Sequence, residues 1–262
     1  MLHTNNFAVA TCVLAQIGLL TAGCSASDDP KVTALIKAHL SPRAIHTAKD
    51  ENGVERIWGI GLSDDRGSLV ILPHLGKLDK LVSLHIAVSD LKDNDLKALP
   101  PLPKLREFWM GKNVVTDEGL KYLADMKDLR YLQIRGTQIQ GSGLVHLAGL
   151  TKLDRLDLSE NPLTDEAIPH IVNNFKRLRK INFGSTNVSS DGFMMLADLH
   201  WLTTIDFPDG IVNRNGNPKK ERDEEIALMR KYVRLYKESK RKAREAGEVV
   251  PSDKVQPFGP IE

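Results

Sequence analysis

One spacing governs what this chain can become. The pattern Leu-x-x-Leu-x-Leu, or a close apolar variant, begins at Ile57, Leu81, Leu105, Leu129, Leu153, Leu178 and Leu202. Successive starts lie 24, 24, 24, 24, 25 and 24 residues apart. A fixed period of this size marks a stacked array. One copy cannot fold alone. It offers about seven apolar positions worth roughly 1.5–3 kcal/mol each when buried, against about 1–2 kcal/mol of backbone entropy for every residue it orders. Stacked copies bury both faces and share one core, so a solenoid is expected, with each repeat touching only its neighbours.

The plan of a single repeat is clearest between Leu153 and Phe175. Leu153, Leu156 and Leu158 occupy the first, fourth and sixth places and predict a short strand. Asn161 and Leu163 follow at the ninth and eleventh places. Thr164 and Asp165 open a helical stretch carrying Ile168, Ile171 and Phe175, a spacing of three and four that fits one helix face. Asp165 is the expected N-cap. The repeats from Leu81, Leu105, Leu129 and Leu178 follow the same plan, with Asn113, Thr137 and Thr186 at the ninth place.

The recurring form L-x-x-L-x-L-x-x-T-x-[IV]-T-D-x-G-L-x-x-L resembles the leucine-rich repeat family, in the strand-plus-helix variety found in bacterial envelope proteins. The resemblance covers roughly residues 57–207. It implies an α/β solenoid, with a curved parallel β-sheet on the concave side, helices on the convex side and helical caps. It also implies that the Asn or Thr at the ninth place bonds free backbone groups of the turn, a structural role for Asn113, Thr137, Asn161 and Thr186.

The ends depart from the pattern. The first repeat, from Ile57, is weakened by Gly59, Gly61 and Gly67, as expected of a terminal unit with one unpartnered side. Before it, Pro30 to Leu40 predicts a short capping helix, with Asp28 or Asp29 as cap and Pro30 in its first turn. After Phe207 the pattern stops. Lys219 to Ala246 predicts a long helix ended by Gly247. An apolar stripe that includes Tyr232 and Tyr236 suits packing on the last repeat. Beyond Tyr236 the helix is rich in Lys and Arg and reads as a solvated end, with a basic handle for an anionic partner as the alternative.

Phe7 to Leu20 is apolar, too short to span a bilayer comfortably, and ends in Thr21-Ala22-Gly23-Cys24. Small residues before a cleavage point mark a secretory signal. The cysteine after Ala-Gly resembles the lipobox of bacterial lipoproteins, in which the sulfur takes a diacylglycerol and becomes the new N-terminus. Two features depart from that pattern: Thr21 stands where Leu is usual, and the first seven residues hold no Lys or Arg. The expected organisation is a signal peptide over 1–23, a tether and N-terminal cap over 24–56, repeats over 57–207, a loop and C-terminal helix over 208–248, and a flexible tail over 249–262. Cys24 is the expected lipidation site and the cell envelope the expected location, with secretion or a periplasmic location as the alternative. Cys12 would leave with the signal, so the mature chain has no possible disulfide.

Chemistry is harder to find. There is no H-E-x-x-H, G-x-S-x-G, Walker loop or C-x-x-C, so neither an enzyme nor a cofactor is expected. No two histidines have metal-ligand spacing, and His146, His170 and His200 read as surface or packing residues. The Asp runs at Asp64-Asp65 and Asp90 to Asp95 lack the ligand spacing of a calcium loop. A net charge of +2 gives no strong overall field, and nucleic acid is not expected.

The concave sheet is the better place to look. Side chains alternate along a strand, so with the leucines inward the third, fifth and seventh places of each repeat face outward. In the middle repeats these columns bring His85, Trp109, Tyr131, Gln133, Arg135, Arg155 and Asp157 into one patch. An aromatic anchor beside arginine is the usual composition of a binding hot spot. Trp58 and Trp201 fall at strand edges and read as packing residues. The expectation is a non-enzymatic binding module, lipid-anchored in the cell envelope, that recognises a protein or glycan through this face. The alternative is a scaffolding lipoprotein that associates through its C-terminal helix.

Overall fold

The computed structural model describes residues 28–63, 66–206 and 218–250. Eight strands form one open sheet in sequence order: β1 (Ile45–Lys49), β2 (Glu55–Ser63), β3 (Ser83–Ala87), β4 (Glu107–Trp109), β5 (Tyr131–Gln133), β6 (Arg155–Asp157), β7 (Lys180–Asn182) and β8 (Thr204–Asp206). From β2 to β8 every pair is parallel. The register is the one the columns require: His85 pairs with Trp109, Trp109 with Gln133, Gln133 with Asp157, and Tyr131 with Arg155. The fold is the leucine-rich-repeat solenoid expected from the period. One continuous core runs through the stack, and Leu84, Phe108, Leu132, Leu156 and Ile181 follow one another through its centre, all buried.

The convex side carries the expected helices, several of them of the 3-10 form. Three repeats carry 3-10 helix there, over Arg66–Lys77, Asp117–Leu123 and Ser142–Leu147. The 3-10 form rises about 2.0 Å per residue against 1.5 Å for the α-helix, so it spans a layer with fewer residues. The repeat that is one residue longer holds a short 3-10 turn, Asp165–Ala167, that runs into an α-helix, Ile168–Asn174. An α-helix also forms over Ser190–Met195.

Two side-chain devices lock neighbouring repeats. The first is the buried asparagine at the ninth place. Asn161 Oδ1 accepts from the amides of Thr137 and Ile139, both at 3.2 Å, and from Thr137 Oγ1 at 2.8 Å. Its Nδ2 donates to the carbonyls of Ile134, Leu158 and Ser159. Asn113 repeats this arrangement two layers further back, on Ser89, Leu91, Ile86, Met110 and Gly111. The residue before the ninth place turns through the left-handed region in five successive layers, as at Lys112 (φ 55) and Glu160 (φ 56). That conformation costs a non-glycine residue roughly 1–2 kcal/mol, which the amide bonds offset.

The second device reaches the other way. Asp165 is not an N-cap: its carboxylate accepts from the amide of Ser189 in the next repeat, at 2.7 Å, and from Ser189 Oγ. Asp117 accepts from Gln140, Gly141 and Gly143, and Asp93 from Thr116. Each such aspartate stands over a glycine of the following repeat, where a Cβ would overlap it: Asp93 over Gly119, Asp117 over Gly143, Asp165 over Gly192. Where the aspartate position holds Gly141 instead, the next repeat holds Ala167. The Asp and Gly of T-D-x-G are therefore complementary between layers rather than within one. Gly192→Ala should cost about 1–3 kcal/mol, as overpacking does, and much less when combined with Asp165→Gly. A double-mutant cycle in urea checks this, and purely additive costs would refute the pairing.

The caps are built differently from one another. Helix α1 (Pro30–His39) has Asp29 as its N-cap, with Oδ1 accepting from the amides of Lys31 and Val32. Asp28 is buried instead and accepts from the Ile57 amide at 2.7 Å, tying the cap to β2. The hairpin between β1 and β2 is not anticipated by the repeat pattern. Its turn closes on Asp50 and on Gly53 at φ 76. His46 of β1 lies over Gly59, whose missing side chain leaves room for it.

At the other end, helix α2 (Pro218–Glu245) seals the last repeats. Tyr232 is fully buried, 4.8 Å from the ring of Phe193, and Tyr236 donates to the carbonyls of His200 and Leu202. Burial extends past Tyr236 to Lys240 and Ala243, contrary to the expected solvated end. Arg241 pairs with Glu245 and Lys242 with Glu238 along the exposed face. The expected signal peptide, Cys24, the loop after Phe207 and most of the tail lie outside the described residues.

Candidate functional site

The concave face of β3 to β6 gathers the expected residues, because parallel pairing in register places equal positions of successive repeats side by side. The rings of His85 and Trp109 lie 4.8 Å apart and tilted by 30°. Tyr131 meets Trp109 edge-on at 4.6 Å and 74°. The Arg155 guanidinium lies 4.8 Å from the centre of the Tyr131 ring. These four form a continuous ladder across four strands, in the offset and edge-to-face geometries that aromatic quadrupoles prefer.

The ladder is partly sunk into the face rather than freely exposed. Trp109 is half-buried, and its Nε1 is buried with no hydrogen-bond partner among the described residues. An unpaired buried donor costs about 1–3 kcal/mol, so stability alone does not account for an indole here. Burial holds His85 below the usual imidazole value, which keeps the ring neutral near pH 7, and it holds the Tyr131 phenol above its ordinary value.

Gln133 completes the patch beside Gly111, where a Cβ would come 3.0 Å from its Oε1. The two flanking members are already engaged. Arg135 is paired with Glu160, and Asp157 accepts from the amide and hydroxyl of Ser159 at 3.0 and 2.6 Å. Column reading overlooks Glu107 as a member. Arg155 crosses the face of Tyr131 and comes within 3.9 Å of Glu107 Oε1, two strands away. The signal was there, as opposite charges in one column. Strands about 4.8 Å apart put them roughly 10 Å from each other, within reach only because arginine is long.

Trp58 is 39% exposed at the rim, with its ring 5.3 Å from that of His46, so it is less a packing residue than expected. Among the described residues no group of His, Cys, Asp and Glu is placed to hold a metal ion, and no helix is long and apolar enough to cross a membrane.

Stacked 24-residue repeats that share one parallel sheet define a leucine-rich-repeat solenoid, a class that generally serves in protein binding. The Leucine Rich repeat family model matches residues 102–124 and 149–168. Among solved structures, an internalin from Listeria monocytogenes is similar at 21% identity and a TM-score of 0.46, over 59% of this chain and 43% of its own. The chain thus spans less than half the length of that internalin. No curated protein matches the sequence.

Proposed function

We propose that this chain is a non-enzymatic binding module of the cell envelope. Cys24 anchors it through a lipid, and it recognises a partner protein through the concave face of β3 to β6. The ladder of His85, Trp109, Tyr131 and Arg155 carries the reading. It is a rigid aromatic surface with a cation at one end, and such anchors lose few rotamers on binding. The basic end of α2 suits a handle poorly, since Lys240 is buried and Arg241 and Lys242 already hold carboxylates.

Trp109→Ala and Arg155→Ala should each weaken capture of an envelope protein by the immobilised chain by about 2 kcal/mol, or roughly thirtyfold. The thermal midpoint should stay near that of the wild type. Capture that survives both changes would move the contact surface elsewhere. The anchor is tested separately, by lipid labelling with and without globomycin. A chain that is neither labelled nor processed overturns the lipoprotein reading and leaves the concave site standing.

A further inference from the structure

A second surface lies on the rim where the chain enters β5 to β8 and adjoins the aromatic ladder at Asp154, whose Oδ1 is 3.4 Å from Arg155 Nε. Arg130, Lys152, Asp154, Arg177, Arg179 and Trp201 line a groove of about 370 Å³ there. Arg130, Asp154 and Arg179 hold the second place of consecutive repeats, and Lys152, Arg177 and Trp201 the place just before each first leucine. Parallel stacking sets each row at the strand spacing of about 4.8 Å. Lys152 is bound to Asp128. Arg130, Arg177 and Arg179 are exposed and form no ion pair with any described carboxylate. The Arg177 guanidinium lies 5.7 Å from the centre of the Trp201 ring, and the indole is half-buried along one wall.

One row of amides on this rim is already spent. The amides of Arg130, Asp154, Arg179 and Thr203 each donate to the carbonyl of the residue one repeat earlier, at 2.8–3.0 Å. An extended peptide therefore finds this row of amides already used, and recognition falls mainly to side chains. Those on offer are three unpaired guanidinium groups, the outer oxygen of Asp154, whose Oδ1 is buried toward Arg155, and one indole plate. A ligand of phosphates or carboxylates only would meet Asp154 as a repulsive charge. A ligand carrying both anions and hydroxyls would use it as an acceptor. We propose that the rim groove binds a linear acidic polysaccharide, with its anionic groups on Arg130 and Arg179, hydroxyls on Asp154 and a sugar ring against Trp201.

Binding of hexagalacturonate to the whole mature chain tests this by calorimetry at low ionic strength. Affinity should fall as salt is added. The exposed double variant Arg130→Gln/Arg179→Gln should bind about tenfold more weakly, through loss of two charge-assisted contacts, with an unchanged thermal midpoint. Asp154→Ala is the decisive variant: a groove that only gathers anions gains affinity when this charge is removed, whereas a groove that holds hydroxyls loses it. Trp109→Ala should leave this binding intact, so the outcome is separable from that of the concave face. The proposal is overturned by absence of binding, by affinity unchanged in the arginine double variant, or by tighter binding in Asp154→Ala. Equal affinity for polyglutamate of matched charge would overturn it in favour of an acidic peptide.

Discussion

Replacing Asn161 with leucine should lower the stability of the solenoid by about 2–6 kcal/mol. The substitution keeps the branching and heavy-atom count of the side chain, removes the amide and adds some bulk. The Thr137 and Ile139 N–H groups then lose their buried acceptor, and each orphaned donor costs about 1–3 kcal/mol. Because a domain of this kind holds only about 5–15 kcal/mol in all, urea titration should show a large drop in midpoint. Exposed Arg135 is the contrast. Its pair with Glu160 lies on the surface, and Arg135→Ala should cost under about 1 kcal/mol. Equal midpoints for Asn161→Leu and the wild type would mean that the turns satisfy themselves without the clamp.

Tyr232→Ala should cost about 3–5 kcal/mol, the range for emptying a large aromatic site in a core. Tyr232 contributes no charge and touches no outward surface, so its loss reports only on sealing. It fills the end of the stack against Phe193 and donates to the Leu196 carbonyl at 3.4 Å. Hydrogen exchange should show the amides around β8 losing protection before those around β4, because each layer leans only on its neighbours. An unchanged midpoint would identify α2 as an appendage and would reopen the reading in which it serves as the contact surface.

The period made the sheet legible because a parallel register is fixed once equal positions stack. Gln133 and Asp157 meet where the columns put them. Asparagine at the ninth place was legible for the same reason. What the pattern could not carry was any interaction between unlike positions. Asp165 reads as a cap within its own repeat, and only the next layer reveals the Ser189 amide as its partner. Helix type also escaped, because apolar spacing is nearly the same for 3-10 and α turns and the choice was made by the length left over in each repeat. The hairpin before Glu55 was signalled by Asn52-Gly53, a strong turn dipeptide, in a segment read only as a cap. The basic rim was invisible column by column, since it draws on two rows and on a tryptophan assigned to packing.

The match between each aspartate and the glycine beneath it bears on how such an array can change its length. Repeats that look interchangeable carry an upper and a lower surface, and those surfaces come in two kinds. Excising Leu105 to Asp128 would set Asp93 over Gly143, the same pairing as before. Excising Leu129 to Lys152 would drive Asp117 into Ala167. Excising Leu153 to Arg177 would leave Gly141 above Gly192 and the Ser189 amide without its acceptor. The array thus has a grammar of permitted neighbours, and duplication or loss is tolerated only where the two kinds of surface still meet.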